Sequence, residues 1–76
     1  MKDQVVATIP KNAREELRIA LTEFHGYRLC AMRVYFKPEG GGEMRPGKNG
    51  LNIRVEQIPD IIEALQQALA QSRGRL

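Results

Sequence analysis

The stretch ELRIALTEFHGYRLCAMRVYFK, residues 16–37, decides the fold of this 76-residue chain. In its first nine residues Leu17, Ile19 and Leu21 occupy every second position, and in its last ten residues the more apolar row again takes every second position. Alternation with a period of two is typical of a β-strand. Because Gly26 lies between the two runs, and glycine suits a tight turn, the sequence predicts a β-hairpin.

The two rows of side chains on this hairpin differ in chemistry. One row is apolar and is expected to face the core: Leu17, Ile19, Leu21, Cys30, Met32, Val34 and Phe36. The other row is expected to face an open side and combines arginines with aromatic and small side chains: Arg18, Ala20, Thr22, Phe24, Ala31, Arg33 and Tyr35. Arginines beside aromatic rings on an open sheet face indicate a candidate nucleic-acid surface.

Two further strands are predicted outside the hairpin. Residues 4–9 form a weaker candidate strand that Pro10 ends, and residues 51–55 alternate strongly. Between the hairpin and the last strand, residues 38–50 hold five of the seven glycines and two of the four prolines. This composition predicts a long irregular loop that ends in a turn with positive φ at Asn49-Gly50.

The C-terminal part of the chain changes to a helical period. Apolar side chains recur there at spacings of three and four: Ile58, Ile61, Ile62, Leu65, Ala68 and Leu69. We therefore expect an amphipathic helix over residues 56–72 with Pro59 in its first turn, and a tail over 73–76. The chain is predicted to be one α+β domain, with an N-terminal arm or weak strand over 1–15 and an antiparallel sheet over 16–55.

The composition limits how so small a domain can be stabilised. One cysteine, Cys30, excludes an internal disulfide, and one histidine, His25, excludes an ordinary structural zinc site. A core of this size rarely supplies more than about 3–5 kcal/mol without such help, so oligomerisation is the remaining source of stability. No apolar stretch approaches the roughly 20 residues of a membrane helix. We expect a reduced, cytoplasmic, soluble protein without a metal.

Charge is unevenly distributed along the chain, although the net charge is only +3. Residues 24–54 contain six basic and two acidic side chains, whereas residues 55–72 contain three acidic side chains and no basic one. A basic middle segment fits a polyanionic partner, while an excess of this size also serves plain solvation.

No catalytic arrangement is found in the sequence. Residues 42–48, GEMRPGK, match the first seven positions of a phosphate-binding P-loop, but Asn49 stands where Ser or Thr would hold magnesium, and a strand follows instead of a helix. Cys30 lies on the apolar row, and no carboxylate is placed by the sequence to orient His25. The chain is predicted to be no enzyme and to need no cofactor.

All four aromatic side chains fall within 13 residues of the hairpin: Phe24, Tyr27, Tyr35 and Phe36. In one interpretation they pack the core and shield the sheet edge. In the other, they receive unpaired bases while neighbouring arginines neutralise phosphates. The position of Phe24 on the polar row, where a core residue is not expected, favours binding.

Three segments together resemble a known family: residues 24–26 (FHG), 32–36 (MRVYF) and 42–50 (GEMRPGKNG). They are similar, over about residues 16–70, to the C-terminal single-stranded-DNA-binding domain of the transcriptional coactivator called positive cofactor four. The resemblance implies a curved four-stranded antiparallel sheet followed by a helix. It also implies a homodimer whose channels hold unpaired or melted DNA with little sequence preference.

The resemblance also assigns functional residues. The family's base-stacking aromatics fall on Phe24 and Phe36, its strand arginine on Arg33, and its loop cations on Arg45 and Lys48. Three further residues of the hairpin are candidate contacts: Arg18, Arg28 and Tyr35. The apolar row of the helix would become the dimer core: Ile58, Ile62, Leu65 and Leu69.

Departures from the family pattern affect the expected binding. The family often has lysine where this chain has His25, Tyr27 and Asn49, and it often has tryptophan at Phe36. Fewer cations predict weaker and less salt-sensitive binding unless other arginines compensate. Strand parity also places Arg33 and Phe36 on opposite rows, so a bulge or the strand end must bring them together.

The predicted function is sequence-nonspecific binding of single-stranded DNA by a homodimer, in transcription regulation or in replication and repair. Two alternatives stay open. The first is an RNA-binding protein or nucleic-acid chaperone, because stacking and phosphate neutralisation do not distinguish the sugars. The second is a dimeric protein-interaction module without nucleic acid. Expected partners are melted DNA, a second copy of the chain and the transcription machinery, in the cytoplasm or on a prokaryotic nucleoid, and no membrane.

Overall fold

The central hairpin is the backbone of the fold in the computed structural model, which describes residues 3–74. Strand β2 spans Glu15–Phe24 and strand β3 spans Tyr27–Phe36, and the two pair antiparallel in unbroken register over their whole length. His25 and Gly26 form the two-residue turn with φ of 51° and 81°. Two consecutive positive φ angles match the right-handed twist of the paired strands.

Two outer strands complete a sheet of order β1-β2-β3-β4. Strand β1, Gln4–Pro10, pairs antiparallel with β2, and strand β4, Arg45–Arg54, pairs antiparallel with β3. A 3₁₀ turn at Val55–Gln57 leads into helix α1, Ile58–Gly74. The predicted α+β class, with a four-stranded antiparallel sheet followed by one C-terminal helix, is confirmed.

The long loop predicted for residues 38–50 is wrong in its second half, because β4 begins at Arg45. The positive φ expected at Asn49-Gly50 is also absent, since the residues with positive φ in the described part of the chain are His25, Gly26, Gly40, Gly41 and Gly42. Gly47 and Gly50 serve a different purpose. A Cβ on either would lie 2.9 Å from a carbonyl oxygen of β3. Glycine here permits close approach of two strands, not a turn.

The outer element boundaries differ from expectation by one or two residues. The strand predicted over residues 4–9 is present as β1 and includes Pro10, and α1 continues to Gly74, two residues beyond Ser72. Propensity places helix ends only to within a turn, since the last turn is stabilised by few contacts. The remainder of the predicted tail, residues 75 and 76, lies outside the described residues.

The interior of the single chain is very small. Among residues 3–74 only Cys30 is buried, at 7% exposure, and the aliphatic side chains around it are half-buried. Helix α1 makes no extensive contact with the sheet, and its apolar stripe is open: Ile62, Leu65 and Leu69 are 50%, 64% and 53% exposed. The described part of the chain has no helix with the length and apolar character needed to cross a bilayer.

Candidate nucleic-acid interface

The strand register defines two faces of the sheet. The open face consists of Arg18, Ala20, Thr22 and Phe24 of β2, Tyr27, Leu29, Ala31, Arg33 and Tyr35 of β3, and Gly50, Asn52 and Arg54 of β4. The apolar face consists of Leu17, Ile19 and Leu21 of β2, Cys30, Met32 and Val34 of β3, and Leu51 and Ile53 of β4. The partition of the hairpin agrees with the alternation in the sequence.

A groove of about 320 Å³ on the open face contains both Phe24 and Arg33. Phe24 is 53% exposed, and Ala31 and Asn52 lie in the groove beside Arg33. An exposed ring for a base and a guanidinium for a phosphate therefore share one cavity. Two carboxylates, those of Asp3 and Glu23, also line the groove, and the Asp3 carboxylate accepts a hydrogen bond of 2.7 Å from the hydroxyl of Thr22.

Arg33 is held in place by the backbone of β4. Its guanidinium donates a hydrogen bond of 3.0 Å to the carbonyl oxygen of Gly47, and within residues 3–74 it forms no ion pair. The β3–β4 pairing shifts between Arg33 and Tyr35, whose partners Gly50 and Pro46 are four positions apart, so the bulge lies in β4. Because β3 stays in unbroken register with β2, Arg33 and Phe36 remain on opposite rows, and the bulge expected to bring them together does not do so. The guanidinium is thus oriented while its charge stays available to an anion.

Arg33 and Phe36 both adjoin Gly47 of β4 but do not share a groove. A Cβ on Gly47 would lie 3.7 Å from the Phe36 ring, so Gly47 adjoins both side chains. Phe36, 38% exposed, opens instead on a second groove with Arg14 and Lys37. The structure therefore places Phe24 and Phe36 at opposite ends of the hairpin and in different grooves.

The predicted loop cations lie at the Phe36 end of the sheet. Arg45 is the register partner of Phe36, and Lys48 is exposed within the bulged part of β4. Neither residue forms an ion pair in the described part of the chain. Arg28, in contrast, is the register partner of Glu23 near the hairpin tip and lies outside the groove of Arg33.

Arg18 and Tyr35 contact each other on the open face in a cation–π interaction. The Arg18 Cζ lies 4.1 Å from the centroid of the Tyr35 ring, and its Nε donates to the carboxylate of Glu16. The Arg18 side chain is only 31% exposed, and Tyr35 is half-buried. Of the predicted contacts, these two are the ones whose charge and ring surface are already engaged by the protein.

The end of the sheet near Phe36 is shaped by the β1–β2 turn. The side-chain oxygen of Asn12 accepts hydrogen bonds from the backbone amides of Arg14 and Glu15, each of 2.9 Å. A hydrogen bond from the Asn12 amide lowers the pKa of the Glu15 carboxyl, and the charge of Lys11 lowers that pKa further. The Arg14 carbonyl then accepts from the Lys37 amide at 2.9 Å, which ties this turn to β3.

Sequence reasoning did not select Arg54 of the open face, and it considered Tyr27 only as one of four clustered aromatic side chains. Arg54 lies with its Cζ 5.2 Å from the centroid of the Tyr27 ring, and Tyr27 is 56% exposed. The alternation of residues 51–55 places Arg54 on a polar row, but only the β3–β4 register places that row beside Tyr27. The described residues contain no cluster of three or more candidate metal ligands.

Comparison with known proteins agrees with this architecture. The family model described as Transcriptional Coactivator p15 (PC4) matches residues 11–64. BPSL1147, a PC4 homolog from Burkholderia pseudomallei K96243, is similar in two crystal forms at 25% identity, with TM-scores of 0.77 and 0.78; each alignment covers 88% of this chain, and 97% and 89% of the respective homolog chains.

A third solved structure shares the fold. The bacteriophage T5 homolog of the eukaryotic transcription coactivator PC4, implicated in recombination-dependent DNA replication, is 23% identical with a TM-score of 0.71, over 96% of this chain and 83% of that chain. No curated protein sequence matches this chain significantly. The family model covers most of the chain, including the hairpin and the first part of α1, and therefore this protein belongs to the PC4 family of transcriptional coactivators.

Proposed function

We propose that this protein is a homodimer that binds single-stranded DNA without sequence preference, in transcription regulation or in replication and repair, and that it catalyses no reaction. The observation that carries the proposal is the shared groove of Phe24 and Arg33 on the open face of a PC4-family sheet. A phage homolog implicated in recombination-dependent DNA replication supports the choice of DNA.

The groove matches the chemistry of an unpaired strand. An exposed ring stacks on the face of any base, and each such contact contributes about 1–3 kcal/mol. Phe24 offers this surface because it is 53% exposed. Arg33, oriented by the Gly47 carbonyl, neutralises a phosphate. Because bases in a duplex are already stacked and paired, a stacking site of this kind favours a single strand over a duplex.

The remaining site residues have graded roles in this proposal. Phe36, with Arg45 and Lys48, forms a second contact at the other end of the hairpin, since these cations lack ion pairs in the described part of the chain. Arg28 adds positive charge near the hairpin tip. Arg18 and Tyr35 form a rigid wall of the open face, because their mutual contact leaves them little surface for a ligand.

The proposal of a dimer is based on the apolar surface that the single chain leaves exposed. The helix row of Ile58, Ile62, Leu65 and Leu69 meets no extensive surface of its own sheet, and residues 3–74 bury only Cys30. Burial of apolar surface stabilises the folded state by about 25 cal/mol per Å². A chain with so small an interior needs this additional free energy from a second surface. A second copy offers an identical stripe, and a two-fold axis lets the two stripes cover each other.

Fluorescence anisotropy with labelled oligothymidylate, oligouridylate and a duplex of equal length tests the proposed function. We expect the tightest binding to oligothymidylate and much weaker binding to the duplex. A preference for oligouridylate would identify an RNA-binding protein, and an absence of binding to all three would indicate a protein-interaction module. Equal affinity for the single strands and the duplex would show that base stacking does not contribute to binding.

A further inference from the structure

The hairpin tip carries a second aromatic ring beside Phe24. Tyr27 is the register partner of Phe24, and both belong to the open face. Directly paired residues on one sheet face have Cβ atoms about 4.5–5.5 Å apart, so the two side chains are immediate neighbours. The two rings are 53% and 56% exposed. The Phe24 ring meets the His25 ring edge-on, with centroids 4.0 Å apart, and Tyr27 lines a separate recess with Arg28 and Glu56. A bound DNA strand that leaves the Phe24 groove over the hairpin tip therefore reaches the Tyr27 ring next.

Arg54 supports the Tyr27 ring from the neighbouring strand. Its Cζ lies 5.2 Å from the ring centroid, and its backbone amide donates a hydrogen bond of 3.0 Å to the side-chain oxygen of Gln57. That hydrogen bond anchors Arg54 where β4 passes into the 3₁₀ turn. A guanidinium on one face of a ring leaves the opposite face for a base.

The second arginine–tyrosine pair of the sheet shows why this one is available. The Arg18 Cζ lies closer to the centroid of the Tyr35 ring, at 4.1 Å, but the Arg18 guanidinium is hydrogen-bonded to the Glu16 carboxylate. Arg18 and Tyr35 are both half-buried. Arg54 is exposed and forms no ion pair within residues 3–74. The same two residue types are thus structural in one place and free to meet a ligand in the other.

We propose that Tyr27 and Arg54 form a second base-stacking position, contiguous with Phe24. An unpaired nucleobase stacks on Tyr27, and Arg54 positions the ring and contacts the adjoining phosphate. This inference rests on the proposed function and extends the bound strand from the groove of Arg33 to the hairpin tip. It also supplies a cation from β4 beside the Tyr27 ring.

Tyrosine fluorescence gives a direct test. The chain has no tryptophan and two tyrosines, so Tyr35→Phe leaves Tyr27 as the only tyrosine emitter. We expect oligothymidylate to quench this emission along the same saturation curve as its binding, because a stacked base quenches the ring. Unchanged emission at saturation would overturn the inference.

Affinity measurements separate the ring from the charge. Tyr27→Ala should weaken oligothymidylate binding about 5- to 150-fold, the range of a lost stacking contact, whereas Tyr27→Phe should retain wild-type affinity. Arg54→Gln should lower the log–log salt slope by about 0.7, the contribution of one phosphate contact on a single strand, and Arg54→Lys should restore it.

A matched control removes one positive charge elsewhere. Arg73→Gln removes an exposed cation in the last turn of α1, outside the sheet, and should leave the salt slope unchanged. If the wild type binds no oligonucleotide, the proposed function and this inference both fall. If the wild type binds and Phe24→Ala weakens binding, but Tyr27→Ala and Arg54→Gln do not, only this inference is wrong.

Discussion

The two faces of the sheet share one backbone and differ only in alternate residues. The open face presents an exposed ring, arginines and small side chains along a groove. The apolar face presents aliphatic side chains that stay half-buried or, at Leu51, exposed, because α1 does not cover them. A ring beside a guanidinium suits a stacked base and its phosphate, whereas bare aliphatic surface suits another protein surface. One alternating pattern can therefore encode two different binding surfaces in a chain too small for a separate core.

The largest expected effect is on the apolar surface of the helix and on the dimer that it is proposed to form. In the single chain Leu65 is 64% exposed, and a substitution at such a surface position changes the free energy of unfolding by about 0.5 kcal/mol or less. In the proposed dimer, Leu65→Asp places a charge in the interface and should produce an unfolded chain or a destabilised monomer. Sedimentation and thermal melting by circular dichroism measure both results.

The matched control for Leu65→Asp is Gln67→Asp, which introduces the same charge on the opposite side of α1. It should leave mass and melting temperature unchanged. A Leu65→Asp protein that sediments and melts like the wild type would show that the helix stripe does not form the dimer.

The next effect sharpens the role of the open face. Phe24→Ala should weaken oligothymidylate binding by about 1–3 kcal/mol, with little change in melting temperature, because its ring is exposed. Phe36→Ala should weaken binding to the same extent if the bound DNA strand also reaches the far end of the hairpin. Titration by anisotropy and a thermal melt of each variant separate binding from stability.

Phe36 provides the sharper of these two measurements, since it adjoins Gly47 but opens on a different groove. If Phe36→Ala loses about 3–5 kcal/mol of stability yet binds normally when folded, its ring is part of the core. The bound DNA strand would then be confined to the open face.

A smaller effect concerns the bulge of β4. Lys48 is exposed there and forms no ion pair within the described residues. Lys48→Ala should lower the log–log salt slope of binding by about 0.7, which is the contribution of one phosphate contact. Anisotropy titrations across a series of salt concentrations measure the slope. An unchanged slope would mean that the bulge points away from the bound strand.

The smallest expected effect is a gain in binding. Asp3 lines the groove of Phe24 and Arg33, and its carboxylate repels a phosphate. Asp3→Asn keeps an oxygen that accepts the Thr22 hydrogen bond while it removes the charge. Affinity at low salt should rise by about 0.2–1 kcal/mol, the range of an exposed charge pair. Glu63→Gln, on α1, is the matched control, and an equal gain in that variant would show a general charge effect instead of a groove effect.

Much of this structure was predictable from the sequence because the relevant signals are local. Period-two alternation in residues 16–37 determines the hairpin and its two rows, and the three-and-four spacing after residue 56 determines the helix. The same alternation places Phe24 on the open face. These predictions hold because side-chain direction along a strand or helix depends on the backbone geometry of that element alone.

Other features were decided only by the tertiary structure, because they depend on the register between strands. The glycines at 47 and 50 have the composition of a turn, yet they lie in β4, where close approach to β3 excludes a side chain. The shift in β3–β4 pairing then sets the Arg33 contact with Gly47, and the register of β4 brings Arg54 to Tyr27. Pairing is a non-local property, with partners far apart in the chain, so no local period encodes which arginine is engaged and which remains available to a ligand.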